Sequence, residues 1–369
     1  MNRLFRWDQM GLFLLALAAG ILPFAVPEVC AAALREGLTL CSGPLLLSLF
    51  PFLVVSRLLI QCPESDLLAL PFRLAAWGIG IRTPCAARVL CIGFLGGFAP
   101  AASAAAQAVR TGQLTAEEVD ALLPACICSG PSFVVLTVGQ SLLGSAELGV
   151  LLFASQITAN YLTAALLNRF AGVRSVKPGS AAPAFPAPPR LDEILADAAI
   201  TYCKLCGFIL FFRLLAAGAG ALLPTGAGTL CAILLEVCSG CDLASRTGRW
   251  GSLLCCAALS VQGLSVLLQV RTICPPEMTL RPLYRARMLH LPLSLALFYL
   301  LLPGGEADVF STLPVRVLLM RRVPPDCALL VFAVCCMAAC TLRSGIRQVE
   351  QKQMARNAGG CCINSKTLL

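Results

Sequence analysis

Residues 88–107 read RVLCIGFLGGFAPAASAAAQ. The run is apolar, but Gly96, Gly97 and Pro100 interrupt it, so it is too short and too broken for a plain membrane-crossing helix. Irregular backbone is stable at membrane depth only where protein surrounds it. The segment therefore predicts a re-entrant hairpin. It is followed by Thr115-Ala116-Glu117-Glu118, the pattern of a capping box, which predicts a helix starting at Ala116. That helix meets Cys128-Ser129-Gly130-Pro131-Ser132 and continues to about Gly144, which makes a span with a broken middle.

The whole chain fits this setting. Its 369 residues are 58% hydrophobic and 13% charged, whereas a soluble domain is roughly 45–50% apolar and about 25% charged. The apolar excess is clustered in windows long enough to cross ~30 Å of hydrocarbon. Such a chain is a polytopic membrane protein, not a cytosolic enzyme, a secreted disulfide scaffold or a disordered protein. The net charge is +9, from 28 Lys and Arg against 19 Asp and Glu. Most basic residues fall in short loops and the C-terminal tail, where the positive-inside rule explains them, so nucleic acid is not a partner. Most of the 21 Cys sit inside apolar runs, where a free thiol acts as a small hydrophobe. Cys203/Cys206 and Cys238/Cys241 form C-x-x-C pairs, but the chain has one His, His290. They read as structural, and no metal or other cofactor is expected.

Working outward, residues 1–29 read as an N-terminal membrane anchor with its apolar run at 10–27. Eight crossings are expected in all: 10–27, 44–60, 120–142, 147–168, 201–222, 250–270, 288–302 and 325–342. Residues 171–190, AGVRSVKPGSAAPAFPAPPR, are a Pro/Ala-rich linker. It separates a first repeat (30–170) from a second (191–303). An amphipathic segment with the last helix (304–342) and a basic cytoplasmic tail (343–369) follow.

The two repeats share an order. Thr39-Leu40-Cys41 and Thr201-Tyr202-Cys203 each follow an amphipathic lead-in and open a span. These spans contain Arg57-Leu58-Leu59 and Arg213-Leu214-Leu215. Gly96-Gly97 marks the first hairpin and Ser239-Gly240 the second, within 228–243. Ser129–Ser132 breaks one span, and Gln262-Gly263-Leu264-Ser265 breaks the other. With both termini cytoplasmic, most loop Arg and Lys, including Arg88, Arg281, Arg285 and Arg287, fall inside. The first repeat then begins outside and the second inside. This is the inverted organisation common in secondary transporters.

Several segments carry a family resemblance. In the first half they are Ser48-Leu49-Phe50-Pro51-Phe52, Gly93–Phe98, and Leu114-Thr115 through Pro131. In the second they are Leu235–Gly240, Ser260–Gly263 and Arg281–Arg287. Over about residues 30–302 the chain resembles the YlbJ-type sporulation integral membrane proteins, which carry nucleoside-recognition gate domains. The resemblance implies an architecture similar to concentrative nucleoside transporters, with about eight crossings and two re-entrant hairpins in an all-α fold. It also implies a role in endospore formation, moving dipicolinate out of the mother cell across the outer forespore membrane. The chain departs from the family's pattern where Ser103 stands for a Lys and Cys128 for an Asn.

Enzyme patterns are absent. There is no phosphate-binding G-x-x-x-x-G-K loop, no G-x-S-x-G, and one His rules out H-E-x-x-H. The breaks are the better candidates, because unwound backbone in a membrane must be satisfied by protein, ion or solute. The expected substrate-binding set is Gly97, Ser103, Ser129, Gly130, Ser132, Glu236, Ser239, Gly240, Ser260, Gln262, Gly263 and Ser265. Glu236 lies in the apolar run LCAILLEVCSG. An acid there marks function by default, either holding a coupling H+ or Na+ or pairing with Lys204 or Arg213. The expectation is a secondary transporter of a small organic anion in the lipid bilayer, with homo-oligomerisation left open. The alternatives are a nucleoside transporter and a non-transporting organiser of spore cortex or coat assembly, working through Arg343, Arg347, Lys352 and Arg356.

Overall fold

The computed structural model describes residues 7–62, 65–171 and 190–302. These residues are 86% helical, and no strand occurs among them. The linker, the segment 304–342 and the basic tail lie outside the described residues, apart from the linker's end residues.

The helices are α1 (Trp7–Ala25), α2 (Pro27–Ser42), α3 (Pro44–Gln61), α4 (Ser65–Leu68), α5 (Leu70–Gly78), α6 (Pro84–Gly96), α7 (Phe98–Arg110) and α8 (Ala116–Cys126). A π-helix (Ser132–Leu142) and α9 (Ala146–Ala171) complete the first half. The second half holds α10 (Leu191–Leu222), α11 (Thr225–Leu235), α12 (Val237–Ser245), α13 (Gly251–Val261), α14 (Gly263–Ile273) and α15 (Arg281–Leu301). Proline in the first turn starts α2, α3, α5, α6 and α15. There the missing N–H costs nothing and the fixed φ suits the helix. The capping box at α8 forms as expected: Thr115 Oγ1 accepts from Glu118 N at 3.1 Å, and Glu118 Oε2 accepts from Thr115 N at 3.0 Å.

Four helical stretches are long and apolar enough to cross a membrane: Pro27–Leu47, Ala146–Ala171, Leu191–Leu222 and Gly248–Ile273. The first straddles the ground between the two early crossings expected from sequence. Large apolar side chains face outward, with Phe24 89%, Phe170 82% and Leu300 77% exposed. In water such a surface would drive association; toward acyl chains it is at home. The architecture is all-α and fits an integral membrane protein.

The order of elements repeats. The segments α2–α3, α6–α7, α8–π-helix and α9 are followed by α10, α11–α12, α13–α14 and α15. The expected lead-in at 191–200 and the span after it are one continuous 32-residue helix, α10. The mixed stretch 61–87 contributes α4 and α5, which have no counterpart between α10 and α11. Corresponding elements pack on one another: α2 and α3 on α10, and α9 on α15. The contacts between α2–α3 and α10 are reciprocal. Arg57 pairs with Asp197 at 2.7 Å, and Arg213 pairs with Glu36 at 2.8 Å. Residue numbers rise along one side of this contact and fall along the other, so the two sides run in opposite directions. One continuous apolar core runs from α5 to α15.

Candidate functional site

Each half brings a hairpin junction against a helix break. Gly97 joins α6 to α7 with φ +81°, a conformation that L side chains rarely adopt. A Cβ there would lie 2.6 Å from Gly130 N and 3.1 Å from Cys128 O. The first junction therefore abuts the first break. In the second half, Gln262 and Gly263 take φ of +65° and +68° between α13 and α14. A Cβ on Gly263 would meet Glu236 N and Leu235 O, each at 3.0 Å. Glu236 is the extended residue between α11 and α12, so the second junction abuts the second break. The breaks are joined across the halves by Gln262 Nε2, which donates to Ser129 Oγ at 3.3 Å as well as to Leu259 O at 2.6 Å.

Both junctions and the first break line one cleft of about 550 Å³, its open mouth included, and the second break adjoins it through α14, whose Val266 and Gln269 are in the lining. Leu45, Leu49, Phe98, Phe133, Ile209 and Val266 form apolar walls, and Ser129, Ser132, Glu236, Cys238 and Gln269 supply polar groups. A mostly apolar cleft with a few convergent polar groups is the usual form of a small-molecule site.

Glu236 is 1% exposed. Its Oε1 accepts from Cys238 N at 2.8 Å and its Oε2 from Ser239 N at 2.7 Å. The carboxylate thus caps the N-terminus of α12, where the helix dipole favours negative charge. No ion pair joins it to Lys204 or Arg213, and the Arg213 guanidinium binds Glu36.

Of the expected residues, Ser129, Gly130, Ser132 and Glu236 line the cleft, and Gly97, Gln262 and Gly263 lie outside its lining and touch Gly130, Ser129 and Glu236 through the contacts above. Ser239 gives its N–H to Glu236, and its buried Oγ has no partner among the described residues. Ser265 accepts from Gln269 Nε2 at 2.9 Å. Gly240 serves packing, since a Cβ there would lie 2.8 Å from Ile233 Cα. Ser103 is buried on α7, away from the cleft lining.

Ser260 belongs to a second polar cluster, between α9, α13 and α15. It bonds Ser294 Oγ and accepts from Gln156 Nε2 at 3.0 Å. His290 Nε2 faces Gln156 O at 3.2 Å. Arg287 is the centre of this cluster and was not foreseen as a site residue. Its Nη2 donates to Ile127 O at 2.8 Å and to Asn160 Oδ1 at 3.2 Å, and its Nη1 to Ser260 O at 3.4 Å. Ile127 and Ser260 stand at the C-terminal ends of α8 and α13, so one guanidinium caps both half-helices that stop at the breaks. The loop-charge reading grouped Arg287 with Arg281 and Arg285. The structure instead buries it inside α15. The spacing 287, 290, 294 is a helical stripe of polar residues, and Gln156, Asn160 and Thr163 form its counterpart on α9. Two facing polar stripes on apolar helices are the signal that could have revealed the cluster.

No family model, curated protein or solved structure matches the chain.

Proposed function

We propose that this chain is a secondary transporter that takes a small organic solute at the cleft where the two breaks meet. The observation that carries the reading is the convergence of both hairpin junctions and the first break on one mostly apolar cleft, to which Gln262 of the second break is joined through Ser129. Packing alone would not bring a buried carboxylate and unpartnered amide oxygens there. Freed backbone and buried polar groups are costly in a membrane unless protein, ion or solute satisfies them.

In this reading α6–α7 and α11–α12 are re-entrant hairpins of two inverted repeats in an eight-crossing bacterial membrane protein, with both termini cytoplasmic. Exposure of the cleft alternates from side to side as one repeat rocks against the other. The resemblance to the YlbJ-type proteins brings forward two solutes, dipicolinate during endospore formation and a nucleoside. The organiser alternative rests on the basic tail, which lies outside the described residues.

The test is uptake by proteoliposomes holding the full chain, with labelled dipicolinate and uridine offered separately. Replacing Ser129, Ser132 and Gln262 together with Ala should lower uptake at least tenfold while membrane insertion is retained. Uptake equal to wild type would reject the cleft as the site.

A further inference from the structure

The polar groups of the cleft have a sign. Its lining holds one ionisable acid, Glu236, and no Lys, Arg or His among the described residues. Arg213 is engaged by Glu36 and Arg287 by the carbonyls behind the breaks. The N-terminus of α12 is the kind of place where an anionic solute would bind, because its N–H groups and dipole favour negative charge. Here Cys238 N and Ser239 N are already taken by the two Glu236 oxygens, at 2.8 and 2.7 Å. The N-terminal ends of α7 and the π-helix also reach the cleft through Phe98, Ser132 and Phe133. Each brings about half a positive charge. With α12 these make about one and a half positive charges; the C-terminal end of α6, which reaches the cleft through Gly96, takes back about half of one, and Glu236 the remaining one, which leaves nothing for the charge of an anionic solute. A second observation points the same way. Gln269 lines the cleft and is 1% exposed, and its Oε1 has no partner among the described residues. It is an acceptor that awaits a donor.

We propose that Glu236 sets the charge selectivity of the cleft: its carboxylate fills the α12 N-terminus as a resident anion, so the cleft takes a donor-bearing solute without net negative charge and refuses anions. The solute class rests on the transport reading, but the charge of the cleft does not. Of the two solutes brought forward above, a neutral nucleoside fits this lining, and the dicarboxylate dipicolinate does not. Removing the charge while keeping the shape should open the α12 N-terminus to anions.

Cys238 lines the cleft next to this carboxylate and serves as a reporter. The full chain in liposomes is treated with anionic or cationic methanethiosulfonate, and modification of the Cys238 peptide is timed by mass spectrometry. Glu236→Gln should raise the anionic-to-cationic rate ratio on the order of tenfold, the effect of one nearby unit charge at intermediate dielectric. Glu236→Asp retains both the charge and a good cap, and should keep the wild-type ratio. In parallel, wild type should take up uridine and not dipicolinate, and Glu236→Gln should gain dipicolinate. An unchanged ratio in Glu236→Gln, no reaction at Cys238 with either reagent, or dipicolinate uptake by wild type overturns the proposal. A shifted ratio with no uptake of either solute upholds the charge of the cleft and rejects transport. Uptake of uridine with an unshifted ratio does the reverse.

Discussion

Gly97 and Gly112 both hold positive φ, at +81° and +69°, but only one has a neighbour. Around Gly112 nothing lies within 4 Å of an added Cβ, whereas at Gly97 the Gly130 nitrogen is 2.6 Å away. Gly112→Ala should therefore cost only the left-handed backbone term, about 1–2 kcal/mol. Gly97 combines its φ with ψ of −163°, a region open essentially to glycine alone. Gly97→Ala adds a backbone clash to that strain. Thermal unfolding in detergent should show a clearly larger drop for Gly97→Ala than for Gly112→Ala. Equal drops would mean that the junction and the break are not in contact. The same scale shows how the two central buried charges are handled. Glu236 sits at a helix N-terminus and Arg287 at two helix C-termini, the ends whose dipoles suit each sign. Neither has an ionic partner among the described residues, so each charge is held by peptide groups.

At the scale of the element, Glu118 does more than the capping box requires. Besides the two box hydrogen bonds, its Oε1 accepts from Thr83 Oγ1 at 2.5 Å, and Thr83 is the residue at which α6 begins. One carboxylate thus ties the start of the first hairpin to the start of the first broken span. Thr115→Ala should cost about 1 kcal/mol, the usual worth of an N-cap. Glu118→Ala should cost more, about 2–3 kcal/mol, because a charge-assisted hydrogen bond to a second element goes with it. Equal losses, read by unfolding in detergent, would leave Glu118 a local cap only. The box was legible because it is written in four consecutive residues; the tie to Thr83 was not, since nothing in a linear pattern says which helix start lies nearby. The breaks were legible too, as glycine, proline and polar residues inside apolar runs. Arg287 was not, because a charge close to a span's end looks the same in sequence whether it faces headgroups or two carbonyls. Ser103 and Gly240, expected among the ligands, lie outside the cleft lining, Ser103 buried on α7 and Gly240 close against Ile233.

At the scale of the whole molecule, the order of elements came through the sequence because hairpin and break recur in the same order. The contact between the halves did not, since it depends on long-range pairs such as Arg57–Asp197 and Gln262–Ser129. Asp197 and Glu36 have side chains 58% and 49% exposed. Pairs like these are worth only about 0–1 kcal/mol each. They set register, while the shared apolar core holds the halves together. A chain cut within residues 172–189 should therefore reassemble. The two pieces, expressed together, should co-purify from detergent, and charge reversal of Arg57 and Arg213 together should weaken the yield more than either alone. Pieces that never associate would show that covalent linkage is needed to close the core.

The two ion pairs also bear on ancestry. A surface on which the Arg of one half meets the acid of the other, twice over, has the self-complementarity of a symmetric dimer. A half-length forebear carrying both partners would have closed upon a second copy of itself. Because α2–α3 and α10 run oppositely, those copies would have had to enter the bilayer facing opposite ways. Such a forebear needs a nearly even spread of Lys and Arg between its two sides. If two such copies were joined in one chain, each half would be at liberty to take up its own charge, and here Glu236 and Arg287 both lie in the second half.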